Sequence, residues 1–167
     1  MSEGGSPVLR LSSEPDSRDV ARELDDRINA HNVAVTGIPF GGAVTICLRD
    51  GGGNLRGGAH GWVWAGWFYV DSLWVDPDLR GHGWGHRLLR DAETEAERLG
   101  ARRAYLETHS FQARPFYEAH GYRVVGELPD YPPGGAYYLM AKALVEPPDS
   151  EAALGGPEKG HGYTRRP

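Results

Sequence analysis

Val75-Asp-Pro77-Asp-Leu-Arg80-Gly81-His82-Gly83-Trp84-Gly85-His86-Arg-Leu-Leu89 is the stretch whose reading decides the fold. It reads as the end of a strand, a glycine-rich turn and the start of a helix. Glycines at 81, 83 and 85 remove Cβ atoms and permit positive φ, so successive backbone N–H groups can converge on one point. The first turn of the following helix adds unpaired N–H groups and the positive end of its dipole. A turn of this kind holds a phosphate without a lysine. Arg80 supplies a planar donor fork at its edge.

Three phosphate-binding patterns compete for the loop. A Walker loop requires Gly-x-x-x-x-Gly-Lys-Ser/Thr, and no Lys-Ser or Lys-Thr pair follows here. A dinucleotide fingerprint requires Gly-x-Gly-x-x-Gly and a later acid. His86 stands where its third glycine belongs, although Glu107 lies at a plausible distance. The third pattern is Arg/Gln-x-x-Gly-x-Gly/Ala behind a strand ending in Val-x-Pro. Arg80, Gly83 and Gly85 fit it, behind Val75 and Pro77.

That pattern resembles the acetyl-CoA pyrophosphate loop of the GNAT acetyltransferase superfamily. A second segment, Ser110-Phe-Gln-Ala113-Arg-Pro-Phe116-Tyr117-Glu-Ala-His-Gly121-Tyr122, is similar to the family's Asn-x-x-Ala-x-x-Phe-Tyr-x-x-x-Gly-Phe/Tyr helix. Ser110 stands where many members carry Asn. The resemblance spans roughly residues 40 to 144. It implies an α/β chain with a mixed, mostly antiparallel central sheet, helices on both faces, and a splay between the fourth and fifth strands. It also implies acetyl-CoA as cosubstrate. Leu73, Trp74, Val75, Arg80 to His86 (Gly81, His82, Gly83, Trp84 and Gly85 between them), Ser110 and Tyr117 would then contact that cosubstrate.

Bulk properties agree with one enzyme-sized domain. The chain has 167 residues, 40% hydrophobic and 25% charged, ordinary for a globular protein. A net charge of −5 argues against nucleic acid as partner and favours a cationic small molecule. Cys47 is the single cysteine, so no internal disulfide forms. No apolar run approaches the ~18–20 residues needed to span a bilayer, and residues 1–7 lack a secretion signal. A cytoplasmic location is the expectation.

In chain order, residues 1–7 and the Pro-, Gly- and charge-rich tail 146–167 are expected to be disordered, flanking a domain at 8–145. Val8–Leu11 is a strand candidate. Asp16 or Ser17 caps a helix to about His31. A meander follows: strands at Ala43–Leu48, Leu55–Ala65 and Trp67–Val75, with a turn at Asp50–Asn54. Simple alternation puts Trp67, Tyr69, Asp71, Leu73 and Val75 on one face of the third. A helix runs from the loop to Leu99, its buried stripe Leu88, Leu89, Ala92, Ala96 and Leu99. Ala104–Thr108 is a strand, Phe111 or Gln112 to His120 a helix. Strands at Arg123–Glu127 and Tyr137–Leu144 close the domain.

Acetyl transfer to an amine needs an oxyanion donor, a proton for the departing thiolate, and a neutral amine. A backbone N–H at Trp74 or Val75 is the oxyanion candidate. Tyr117 occupies the family's position for the general acid. Asp71, Glu107 and His109 are the candidate bases. Trp62 and Trp64 share a face and, with Tyr131, are candidate walls for the acceptor. His82 and His86 stand four apart, but the glycines suit phosphate better than a metal. The resemblance implies a small-molecule amine acceptor, aminoglycoside-like antibiotics among the candidates, and is compatible with a homodimer. A protein or peptide N-acetyltransferase and a non-catalytic acyl-CoA-binding module are the alternatives.

Overall fold

The computed structural model describes residues 9–145; the stretches 1–7 and 146–167, together with Val8, lie outside the described residues. The described residues up to Pro39 and the described residues from Phe40 onward are two compact units. In the first, helix α1 spans Arg18–Thr36. The Ser17 hydroxyl caps it by accepting from the Val20 N–H at 3.4 Å, and Gly37 ends it in the left-handed region. The helix outruns its expected end at His31 because no breaker intervenes before Gly37. No strand forms at Leu9–Leu11, where both leucines are exposed; a strand without a neighbour has no ladder to join.

The second unit is a six-stranded sheet in the order β1-β2-β3-β4-β6-β5. The strands are β1 Phe40–Arg49, β2 Leu55–Trp64, β3 Trp67–Val75, β4 Arg103–His109, β5 Arg123–Pro129 and β6 Ala136–Ala143. Helices α2, Trp84–Arg98, and α3, Arg114–Ala119, occupy the two crossovers. The Asp50 carboxylate fixes the β1–β2 turn by accepting from the Gly52 and Asn54 N–H groups, each at 2.9 Å. Helix α3 starts later than expected. Phe111–Ala113 form a turn instead, and Pro115 falls in the first helical positions, where its missing N–H costs nothing.

Helices α2 and α3 feed the same core. Leu88, Leu89, Ala92 and Ala96 of α2 are buried against Phe68, Val70, Leu106 and Met140, with Phe116 and Tyr117 of α3 packed on the cluster. Burying each large side chain contributes about 1.5–3 kcal/mol. The one buried acid among the described residues, Glu93, accepts from the Tyr122 hydroxyl at 2.9 Å and from Lys142 Nζ at 2.7 Å, which offsets its desolvation.

Two irregularities in the sheet shape the site. All neighbouring strands are antiparallel except β3 and β4, whose parallel pairing runs only from Trp67↔Arg103 to Val70↔Leu106. Beyond Val70 the strands part. Counting without the missing first strand, the splay lies between the third and fourth strands. At the same point, Gly61 pairs with Val70 but His60 pairs with Ser72. Asp71 is therefore an extra residue, a β-bulge. The bulge overturns the simple alternation expected for β3: Leu73 and Val75 leave the face of Trp67 and Tyr69 and join Phe68 and Val70 on the core. Gly61 makes the close approach possible. A Cβ there would stand 2.0 Å from the Tyr69 carbonyl oxygen.

Candidate active site

The glycine loop is built as the sequence predicts. β3 ends at Val75, a 3-10 turn covers Pro77–Leu79, and Gly81 and Gly83 take φ of 76° and 79°. Gly83 is the N-cap of α2 and offers no side chain to its first turn. The Arg80 Nε donates to the Val75 carbonyl at 3.1 Å, tying the loop to the strand end. Arg56 Nε donates to Asp76 at 2.9 Å and braces the same corner. A cavity of about 380 Å³ lies over the loop, lined by Arg80, Gly81, Gly83, Trp84, Gly85 and His86 and floored by Leu73, Val75, Phe116 and Tyr117. Gly85 faces the Phe116 ring, where a Cβ would sit 3.4 Å from it.

A second cavity of about 610 Å³ opens between the splayed strands. Asp71, Ser72 and Trp74 line it from β3, Glu107 and Thr108 from β4, and Tyr117 from α3. Leu73, Val75, Arg80, Ala113 and Tyr117 border both cavities. The two are thus one passage, running from the loop into the gap in the sheet. The Asp76 N–H bonds the Arg56 carbonyl at 2.8 Å. Antiparallel alternation then turns the backbone groups of Trp74 and Ser72 towards β2. The N–H and C=O groups of Leu73 and Val75 face the gap. Of the two expected oxyanion donors, Val75 therefore presents its amide to the passage, and Trp74 presents its side chain.

The titratable groups differ in how they are held. Burial raises the Tyr117 phenol above its ordinary value, which keeps it protonated. Asp71 is exposed and accepts from the Ser72 hydroxyl at 2.9 Å. Glu107 accepts from the Tyr69 hydroxyl at 3.1 Å and from the Tyr137 hydroxyl. The His109 Nδ1 lies 3.3 Å from the Tyr131 carbonyl. Its ring stacks on Phe111 at 5.0 Å and meets Tyr131 and Tyr137 edge-on.

Apart from His86, which lines the loop cavity, the other expected positions fall outside the passage. The Ser110 hydroxyl accepts from the Ala136 N–H at 3.1 Å and so ties the β4 end to β6. His82 bonds the Arg80 carbonyl within the loop at 2.8 Å. His86 pairs with His120 at 2.7 Å. Trp62 and Trp64 stand on the sheet face opposite the core. There they line an apolar groove of about 380 Å³ with Trp67, Tyr69, Tyr105 and Leu139. Sequence reasoning missed Tyr69, Tyr137 and Gln112. The last accepts from the His109 N–H at 2.8 Å and the Thr108 hydroxyl at 3.2 Å, holding the turn after β4. Its place in the Ser110–Tyr122 segment was visible; its partners were not.

Comparison with known proteins agrees with this geometry. The Acetyltransferase (GNAT) family matches residues 10–122. A blasticidin-S acetyltransferase of Streptomyces morookaense is 46% identical over 93 residues, 55% of this chain and 68% of that protein. An acetyltransferase of Agrobacterium fabrum is 33% identical over 107 residues, 64% of this chain and 78% of that protein. The crystal structure of an acetyltransferase from Bacillus cereus superposes with a TM-score of 0.68 at 28% identity, covering 80% of this chain and 97% of that one. With the loop, the splay and the second motif in their expected order, the chain belongs to the GNAT family of acetyltransferases.

Proposed function

We propose that the chain transfers the acetyl group of acetyl-CoA to the amine of a small cationic molecule by direct attack. The observation that carries this reading is the continuous passage through Leu73, Val75, Arg80 and Tyr117. It joins a diphosphate-sized amide cradle to a gap where strand edges are open. The loop amides and Arg80 hold the diphosphate. The free backbone N–H and C=O of Leu73 pair with the amides of the pantetheine arm, as an added strand would. The Val75 N–H faces the developing oxyanion. Tyr117 gives its proton to the departing thiolate. The burial that raises the phenol also penalises a bare thiolate, so the transfer stays matched. Asp71, exposed at the bulge, is the carboxylate that takes a proton from the acceptor's ammonium, directly or through water, so that the neutral amine attacks; Glu107 and His109 remain the other candidates.

The acceptor enters from the outer face, where Trp62, Trp64 and Tyr69 form an aromatic wall. An antibiotic amine is a fitting substrate class, since the Streptomyces relative is a blasticidin-S acetyltransferase. Calorimetry with coenzyme A, followed by thiol release from acetyl-CoA with a panel of nucleoside, aminoglycoside and simple aryl amines, tests the reading. Binding with amine-dependent thiol release is expected. Binding without release for any amine would leave a coenzyme A-binding module, and absence of binding would remove the premise.

A further inference from the structure

Glu107 sits in a setting that differs from that of Asp71. It is on the outer face of β4, opposite Leu139 of β6, while Tyr137 lies opposite His109 and Tyr69 opposite Tyr105. Both tyrosines are thus diagonal neighbours of the carboxylate, within reach of long side chains. Each donates its phenol proton to it. A carboxylate offers about four acceptor positions, and two are filled. The Tyr69 ring also packs on Trp62 at 4.7 Å and on Tyr105 at 4.8 Å. One side chain therefore links the apolar groove to the carboxylate.

We propose that Glu107, clamped by Tyr69 and Tyr137 at the end of the Trp62–Tyr69–Tyr105 groove, anchors a second, non-reacting positive charge of the acceptor. The substrate class is then a flat-bodied dicationic amine, and Tyr69 and Tyr137 are positioning residues. This rests on the acetyl-transfer reading above and divides the two carboxylates: Asp71 meets the reacting amine, Glu107 the other charge. Three features support the division. Glu107 is exposed, lines the gap between β3 and β4 next to the groove residues Tyr69 and Leu139, and has no cationic partner among the ion pairs of the described residues. Asp71 adds its own negative charge beside Tyr69. Aromatic faces on either side favour a cation over a neutral group. The phenols are durable donors. Burial, then the Glu107 charge, raises Tyr69 far above the ordinary phenol range, and burial followed by the Glu107 hydrogen bond pushes Tyr137 up to about 12.

The test uses two matched probes on the full chain: p-xylylenediamine, a dication, and 4-methylbenzylamine, a monocation with the same flat ring and benzylic amine. Thiol release is followed in the wild type and in Glu107→Gln, Tyr69→Phe and Tyr137→Phe. Calorimetry of both amines on protein saturated with coenzyme A serves as a readout independent of turnover. The wild type is expected to prefer the dication by about ten-fold, equivalent to ~1.4 kcal/mol. In Glu107→Gln that preference falls to near unity through KM, with kcat held within a few-fold. The two Phe variants raise KM for the dication alone. Equal treatment of both amines by the wild type overturns the proposal. So does a Glu107→Gln variant that loses kcat for both amines at unchanged KM, because Glu107 would then be the base. Loss of coenzyme A binding would instead sink the acetyl-transfer reading.

Discussion

Replacing Gly61 with alanine probes the bulge that shapes the passage. The new Cβ would stand 2.0 Å from the Tyr69 carbonyl oxygen and 2.8 Å from the Phe68 ring. Reaching ordinary contact requires a retreat of about 1.4 Å. The obstructing atom is backbone, so no rotamer change relieves it, and β2 must move away from β3. Overpacking of this kind costs ~3 kcal/mol, the upper end of its usual range. For a chain of this size that lowers Tm by about 10 °C. The same displacement shifts the Val75 amide, and a misplacement near 1 Å costs about 100-fold in rate. Urea unfolding, calorimetry with coenzyme A and steady-state thiol release read the three effects separately. Gly126→Ala is the control. Its Cβ would meet Leu139 at 3.6 Å, an ordinary contact, so stability should change by no more than about 0.5 kcal/mol. A Gly61→Ala protein as stable and as active as the control would show that the bulge does not hold the geometry ascribed to it.

Further outcomes follow from the site and the core. Tyr117→Phe should lower kcat by about 10²- to 10³-fold while coenzyme A affinity holds; an equal loss of affinity would mean the phenol serves binding. Trp64→Ala should raise KM for the acceptor and leave that for acetyl-CoA unchanged, because Trp64 lines the outer groove and not the passage; a stability loss with no kinetic selectivity would mark it as packing. Burial first, and then Glu93, raises the Tyr122 phenol far above its ordinary value. The folded chain keeps that proton after the unfolded chain loses its own near pH 10, so stability falls as pH rises beyond about 10. Tyr122→Phe should flatten the alkaline slope by up to ~1.4 kcal/mol per pH unit, read as urea midpoints between pH 9 and 11; an unchanged slope would refute the assignment.

The sequence carried the parts whose physics is local. Of the glycines at 81, 83 and 85, the first two take the positive φ they permit, while Gly85 lies inside α2; of the expected stripe, Leu88, Leu89, Ala92 and Ala96 are buried and Leu99 half-buried; and Asp50–Asn54 announced a turn. The bulge at Asp71 was not legible. Its cause is a contact between strands, Gly61 against the Tyr69 carbonyl, and period-two alternation contains no term for it. The error moved Leu73 and Val75 to the wrong face and hid which amides open on the gap. The clamp on Glu107 was hidden for the same reason. Tyr69 and Tyr137 are far apart in the chain, and only strand order β3-β4-β6 makes both neighbours of one carboxylate. Trp62 and Trp64 were readable as sharing a face, but that it is the face away from the core follows from which side the crossover helices take.

The short parallel pairing between β3 and β4 has a mechanical consequence. Within the sheet, four ladder pairs are all the strand pairing between a β1–β2–β3 panel and a β4–β6–β5 panel. A seam so narrow bends more readily than either antiparallel panel. A ligand arm laid along the opened edges would act as a splint across it. Coenzyme A should accordingly suppress hydrogen exchange in both panels at once, reaching amides on β5 and β1 that it never touches.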